Sequence, residues 1–289
     1  MRLEREARSA ILGVVCLCVS TAVARGGEAP GRTGASGRPI LSALPEGCSG
    51  SELLYENTFS KGKEAAEAEA ARDWVLEGGG IAQWADGYLR LRAKHYTENR
   101  SKIETDHFVY WLKRDFPADV AVEWDFRFPD WKISPNGLAI IFLCAQGVHG
   151  EDLFDPKLAK RDGVFERYHS GDIRCYHLSY FAGRRGSANV RKNPGFHLVA
   201  SGDDLVARGG PEKWHHLRLT RFGPTLELTV DGQRSIKWND DGKAFGPLHA
   251  GGHVGLRQQN DLLYGDYANL RVYGLKHDLT KGHPADETR

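Results

Sequence analysis

Between residues 119 and 128 the chain reads DVAVEWDFRF, with apolar and polar positions in alternation. Val120, Val122, Trp124, Phe126 and Phe128 fall on one face, and Ala121, Glu123, Asp125 and Arg127 on the other. A period of two is the mark of a strand buried on one side. The preceding HFVYWLK (107–113) is rich in β-formers. GLAIIFLCAQ (137–146) is apolar on both faces, as a central strand of a sandwich is. CYHLSYF, GFHLVA, KWHHLRLTRF, TLELTVDG, RSIKW, GGHVGLRQ and YANLRVYGL carry strand patterning on to residue 275. Asp231-Gly232 predicts a hairpin turn between TLELTV and RSIKW, and FGP (222–224) separates another strand pair. One stretch differs: the Ala- and Glu-rich GKEAAEAEAARDW predicts a short helical insert near 62–72, a surface excursion between two early strands. The loop 146–174 is long, charged and dotted with glycine, which points to a functional or locally helical segment. Many short strands with Gly and Pro turns predict an all-β sandwich or jelly roll.

The ends of the chain read differently. Arg2, Arg5 and Arg8 precede the apolar run AILGVVCLCVSTAVA, which ends in Ala22-Val23-Ala24. This is the layout of a secretory signal peptide over residues 1–24, and it predicts a secreted or periplasmic protein. The run is shorter than the ~20 residues a membrane-spanning helix needs, so no membrane insertion is expected after cleavage. Residues 25–47 are rich in Gly, Pro, Ala and Ser and read as a flexible leader. The domain is expected over 48–275, with a loose tail at 276–289. A net charge of +1 argues against a dedicated nucleic-acid binder, so an anionic ligand has to be held by a local patch. Cys48, Cys144 and Cys175 lie in the expected mature chain and allow one disulfide and one free thiol. Cys144, inside an apolar run, is expected to be buried and inert. The chain has no C-x-x-C or H-x-x-H spacing for structural zinc.

Alternation also sorts the candidate chemistry. His177 and Ser179 fall opposite Tyr176, Leu178 and Tyr180; His197 falls opposite Phe196 and Leu198; His253 and Arg257 fall opposite Val254 and Leu256. Together with Glu123, Asp125 and Arg127 these polar faces form one groove if they line one side of the sandwich, and an ordinary solvated face if they do not. ANVRKNPGFH brings Arg191, Lys192 and Asn193 next to His197, with Phe196 and Leu198 expected to anchor this wall in the core. An arginine fork suits a carboxylate or sulfate, and an asparagine amide suits sugar hydroxyls. Trp111 and Trp131 are candidates to stack on a pyranose ring, whereas Trp124 belongs to an apolar strand face.

Three chemistries compete. Glu123-x-Asp125 is similar to the start of the acidic strand motif of laminarinase-like glycosidases, but Arg127 follows where that motif has a further glutamate. Retaining hydrolysis needs two carboxyl groups about 5 Å apart. Elimination instead needs a base, for which His177, His197 and Tyr180 are candidates, and a group such as Arg191 or Asn193 to neutralise a uronate carboxylate. Tyr180 shares a base's role with His177 only if a bulge brings the two to one face. Simple carbohydrate binding needs the same groove without a base. Asp266 and Glu56 could hold a structural calcium ion that staples the two chain ends, or only hydrogen bonds.

HSGDIRCYHLSYFAGRR, NVRKNPGFHLVASGDD, WHHLRLTRFGPTLELTVDG and GGHVGLRQQ together resemble the YesU-like family, a domain of unknown function. The resemblance spans nearly all of residues 50–275. It implies a concanavalin-A-like jelly-roll β-sandwich of two antiparallel sheets and a role in pectin-type (rhamnogalacturonan) degradation, with a polysaccharide or oligosaccharide as partner. It carries over no catalytic residues. The chain departs from the family in its signal peptide and in the insert at 62–72. The reading that follows is an exported protein that cleaves an acidic polysaccharide by elimination, with a non-catalytic carbohydrate-binding jelly roll as the alternative and a glycoside hydrolase behind both.

Overall fold

The computed structural model describes residues 41–85, 87–94, 107–131, 137–259 and 264–278. The expected signal peptide, most of the leader and most of the tail lie outside the described residues. The chain runs β1 (Cys48–Asn57), α1 (Lys63–Asp73), β2 (Trp74–Gly78), β3 (Gly80–Ala85), β4 (Tyr88–Ala93), β5 (Phe108–Leu112), β6 (Val120–Arg127) and β7 (Leu138–Gly147). It continues through β8 (Ile173–Phe181), β9 (Ser187–Asn193), β10 (His197–Asp203), α2 (Leu205–Gly209), β11 (His215–Phe222), β12 (Thr225–Val230), β13 (Gln233–Asn239), β14 (His253–Gln259) and β15 (Tyr264–His277).

The strands form two antiparallel sheets, as expected of a concanavalin-A-like jelly roll. One has eight strands, in the order β13-β12-β11-β6-β15-β4-β3, with β1 also paired to β15. The other has seven, in the order β10-β9-β8-β7-β14-β5-β2. The predicted helix is α1, and it bridges the two sheets between β1 and β2. The Asp231-Gly232 turn joins β12 to β13 with φ of 50° and 78°, the positive pair a tight hairpin needs.

Alternation places the core. Val120, Val122, Trp124 and Phe126 of β6, and Phe128 just after it, are fully buried and meet Leu178 and Tyr180 of β8 between the sheets. β7 is apolar on both faces because each face is covered. Ile141 and Leu143 join the inter-sheet core, and Phe142 joins a second cluster with Val109, Trp111, Leu153, Tyr168, Ile173 and Cys175. That second cluster lies on the outer face of the seven-stranded sheet, under the connection 148–172. The long charged loop is therefore a cover, and it includes a 3-10 turn at Phe165–Tyr168.

The described structure includes residues before 48. Leu41 is buried with Ala121, Tyr273 and Leu275, and the Ser42 hydroxyl donates to Glu123 Oε1 at 2.7 Å. At the other end β15 extends to His277, and Asp278 N donates to Gly47 O at 3.1 Å. The three described cysteines are free thiols. Burial pushes those of Cys144 and Cys175 up to about 12, which makes them inert.

Candidate functional site

The strand register of the seven-stranded sheet sets two rows of side chains on its outer face. Arg191 of β9 is opposite His177 of β8, followed by Phe142 of β7, Gly255 of β14 and Trp111 of β5. The next row is Asn189, Ser179, Ile140, Arg257, Val109 and Glu77. Two loops form a rim above these rows. The connection 148–172 is tied down by Arg161, whose Nε donates to Glu77 Oε2 at 3.0 Å and whose Nη2 donates to Leu153 O at 3.0 Å. The β9–β10 hairpin tip meets it: Gly195 N donates to His169 O at 2.7 Å, and the His169 and Phe196 rings lie 4.3 Å apart. Gly195 has a φ of 100°, and a Cβ there would sit 2.2 Å from His197 Nε2, so this tip requires glycine.

The floor beneath the rim is cationic and uncompensated. Arg257 is fully buried, yet its Nε and Nη1 have no hydrogen-bond partner. Its Nη2 lies 3.4 Å from His107 Nδ1, and its guanidinium lies 4.7 Å from the Phe165 ring centroid and 5.0 Å from that of Tyr168. Burial lowers its pKa to about 10. Arg191 lies 3.8 Å over the Phe196 ring and donates to Phe196 O at 2.8 Å. Arg185 donates to Ser179 Oγ at 2.5 Å and to Ser187 O. None of these three arginines forms an ion pair among the described residues.

His177 sits between them, buried against Phe142 and Phe196, and its Nδ1 has no partner. Burial first, then the charges of Arg257 and Arg191, hold its pKa well below the usual imidazole range. His169 on the rim is lowered in the same way, by burial and then by Arg257. The site therefore presents neutral imidazoles beside desolvated guanidiniums. Such an arrangement accepts a carboxylate or another oxyanion, which would supply the missing hydrogen-bond acceptor and the missing negative charge.

The outer face of the eight-stranded sheet is charged too, but it neutralises itself. Asp266 is fully buried and accepts from Arg90 at 2.7 and 2.9 Å and from Arg127 at 2.9 Å. Arg271 pairs with Glu56 at 2.8 Å. His216 lies 2.8 Å from Asp125 and 3.9 Å from Glu123, and the hydrogen bond to Asp125 leads in raising its pKa to about 9. Asn269 donates to the second oxygen of Asp125 at 2.7 Å.

The structure brings His177, Ser179, Arg191 and Arg257 together and distributes the other candidates elsewhere. Glu123, Asp125 and Arg127 belong to the other sheet, so the groove does not include them. Tyr180 faces the inter-sheet core, where its hydroxyl donates to that of Tyr267 at 3.3 Å, and burial pushes its pKa far up. It is out of reach as a base. His197 turns to the opposite side of the β9–β10 hairpin and stacks on Phe245 at 4.3 Å. Leu198 is 50% exposed and anchors nothing in the core. Lys192 is buried in an ion pair with Asp240 at 2.7 Å. Asn193 is a strut: its Nδ2 donates to Tyr168 O at 3.2 Å. His253 is covered by the loop, with its ring nitrogens on Leu112 O and Asp152. Trp111 is fully buried, stacked on Phe142 at 5.3 Å with its Nε1 donating to Glu77 at 3.0 Å. Trp131 packs against the inter-sheet core. Asp266 is held by Arg90 of β4 and Arg127 of β6, and Glu56 of β1 by Arg271 of β15, so the two carboxylates do not converge on one ion. Among the described residues no group of three or more His, Cys, Asp or Glu is arranged to hold a metal ion.

Sequence patterning missed Asn189, Arg185, His107, His169, Phe165 and Phe196 as site residues. Asn189 stands two residues before Arg191 on the same strand face, so alternation carried the signal for it. The others come from loops, turns or strand margins, where no period applies.

Comparison with known proteins places the chain in a family. The model of a family described as a domain of unknown function, DUF1961, matches residues 52–272. The chain is 36% identical over 207 residues to the uncharacterized protein YesU of Bacillus subtilis (strain 168), covering 68% of this chain and 88% of that protein. A crystal structure of a protein of unknown function with a galectin-like fold, from Bacillus subtilis, is 32% identical and superposes with a TM-score of 0.67 over 78% of this chain and 97% of that one. An endo-β-1,3-glucanase from Pyrococcus furiosus, at 12% identity, shares the fold with a TM-score of 0.51 over 79% of this chain and 96% of that one. The extent of the family match and the identity to the Bacillus relative agree, and the chain belongs to the DUF1961 family.

Proposed function

We propose that this is a carbohydrate-active protein that binds an acidic glycan on the outer face of its seven-stranded sheet and cleaves it by elimination. The observation that carries the reading is Arg257, a fully buried guanidinium with two nitrogens unpartnered and no ion pair among the described residues. A buried charge of this kind is costly, and a bound uronate carboxylate would compensate it. Arg191 adds a second cation to this face, opposite His177 in the register of β9 and β8. With the carboxylate neutralised, the proton on the adjacent sugar carbon becomes more acidic. His177, held neutral, takes that proton. The electron pair forms a carbon–carbon double bond, the bond to the leaving glycosidic oxygen breaks, and that oxygen takes a proton from water. Retaining hydrolysis is not favoured, because the one carboxylate in the two rows, Glu77, is occupied by Arg161 and Trp111. The basic and apolar first 24 residues support export to a secreted or periplasmic location, where long polymers are met.

The burial of His177, 4% exposed, favours a second reading in which the same floor binds the glycan without turning it over. One experiment separates the two. The protein lacking residues 1–24 is incubated with polygalacturonate and with rhamnogalacturonan. Ultraviolet absorbance follows the new double bond, and calorimetry follows binding. Rising absorbance that is lost in His177→Gln supports elimination. Binding without absorbance supports the lectin-like reading, and absence of both overturns the acidic-glycan assignment.

A further inference from the structure

We propose a second glycan contact at Trp214, on the outer face of the eight-stranded sheet, which takes the apolar face of a pyranose ring from the same chain that occupies the cationic floor. The proposal rests on the acidic-glycan reading of that floor and extends it to polymer length. Trp214 is 40% exposed, whereas Trp74, Trp111 and Trp124 are buried. Its ring is held in place from beneath: the Arg127 guanidinium lies 4.5 Å from the ring centroid, and Arg127 is itself fixed by the fully buried Asp266. Tyr88 flanks the pair, 6.3 Å from Trp214 and 5.6 Å from the Arg127 guanidinium. A large aromatic surface that is already rigid loses little entropy when a sugar ring stacks on it. The Arg127 guanidinium is turned to Asp266 and to the Trp214 ring, so what this platform offers a ligand is the ring face.

The two contacts lie at the same end of the sandwich. β8 leaves the floor at Phe181, and Asp204, the N-cap of α2, accepts from Ala182 N at 2.7 Å. After α2 the chain crosses to Pro211, whose carbonyl accepts from Phe128 N at the end of β6, and Phe128 packs on Phe181 at 5.6 Å. Arg185 and Trp214 therefore flank one short connection. A glycan that leaves the floor past Arg185 meets Trp214 as it rounds the end of the sheets.

Two linked contacts strengthen binding only for a ligand long enough to reach both. The test is calorimetric titration of wild type, Trp214→Ala, Trp214→Phe and Arg257→Met with trigalacturonate and with long polygalacturonate. Trp214→Ala should bind the trimer as wild type does and lose at least about tenfold in affinity for the polymer. Trp214→Phe should retain most polymer affinity. Equal polymer affinity in wild type and Trp214→Ala overturns the proposal. The floor is tested separately, because Arg257→Met should lose the trimer, and unchanged trimer binding in that variant sinks the cationic-floor reading instead. If wild type binds neither ligand, both readings are overturned.

Discussion

Arg257 and His177 stand on one face of the seven-stranded sheet with only β7 between their strands, and each has a buried nitrogen without a partner. Neither residue is explained by stability. A buried N–H left unsatisfied costs roughly 1–3 kcal/mol, and a buried charge costs more.

Replacing Arg257 by methionine should therefore separate stability from function. Methionine keeps an apolar stem among Phe142, Phe165 and Tyr168 and removes the uncompensated charge. The variant should be as stable as wild type or more stable by about 1–3 kcal/mol, and should bind acidic glycan at least about tenfold more weakly. Denaturant unfolding alongside ligand titration checks both. A large loss of stability would mean that the ring contacts of Arg257 are structural.

Acid should loosen the fold and tighten the ligand. The folded-state pKa of His177 lies well below 6.5, and that of His249 falls to about 4 through burial and the Lys192 charge. Between those values and 6.5 the unfolded chain binds protons that the folded chain does not. The acid penalty of these two groups is absent above about pH 6.5 and grows as pH drops through this window, to about 3 kcal/mol for His249. His216 works in the opposite sense: its pKa is raised to about 9, so its stabilisation is present below the unfolded value and lost as pH rises through 9. At the site, burial first and then the charge of Arg257 hold His169 on the rim neutral. A bound carboxylate offsets that charge, so ligand binding should take up a proton at His169 and affinity should rise as pH falls below about 6.5, while the more deeply buried His177 stays the neutral base. Titrations in buffers of different ionisation enthalpy count the protons. Zero uptake by wild type would disconnect His169 from the ligand, whereas His249→Gln should relieve the acid sensitivity without altering uptake.

Lys192 and Tyr180 should behave as parts of the scaffold. Lys192→Met leaves Asp240 buried without its cation and should cost about 3–5 kcal/mol. Tyr180→Phe removes one hydroxyl pair with Tyr267 and should cost about 1 kcal/mol, with activity per folded molecule unchanged. Thermal unfolding and activity at saturating substrate distinguish these outcomes. A loss of turnover in Tyr180→Phe at full stability would return that residue to the reaction.

The sandwich was legible because each strand carries its own evidence. Alternation in β6 and the Asp231-Gly232 turn report local geometry, and four site residues, His177, Ser179, Arg191 and Arg257, followed from the same period. Which polar faces share a sheet was not legible, because strand order depends on partners far apart in the chain. Glu123 and His177 have equivalent patterns and lie on different sheets. Asp266 meets Arg90 across 176 residues, and no local signal announces that its charge is already taken. His197 was misplaced for a different reason: Phe196 adopts a φ of 56° and the hairpin tip turns, so the strand's alternation does not extend through it. Trp111 looked available for stacking because the cover formed by 148–172 has no periodic signature.

The contrast between the two outer faces has a kinetic consequence. The whole chain carries a net charge of only +1, and the unpaired Arg257 lies at the bottom of a rimmed floor. At physiological salt, charges are screened beyond about 8 Å, so an approaching polyanion feels little attraction until it is nearly in contact. Encounter should proceed at an ordinary rate, and discrimination between acidic and neutral chains should reside in how long each stays. Added salt should have a small effect on arrival, and the departure rate should distinguish a matched chain from a mismatched one.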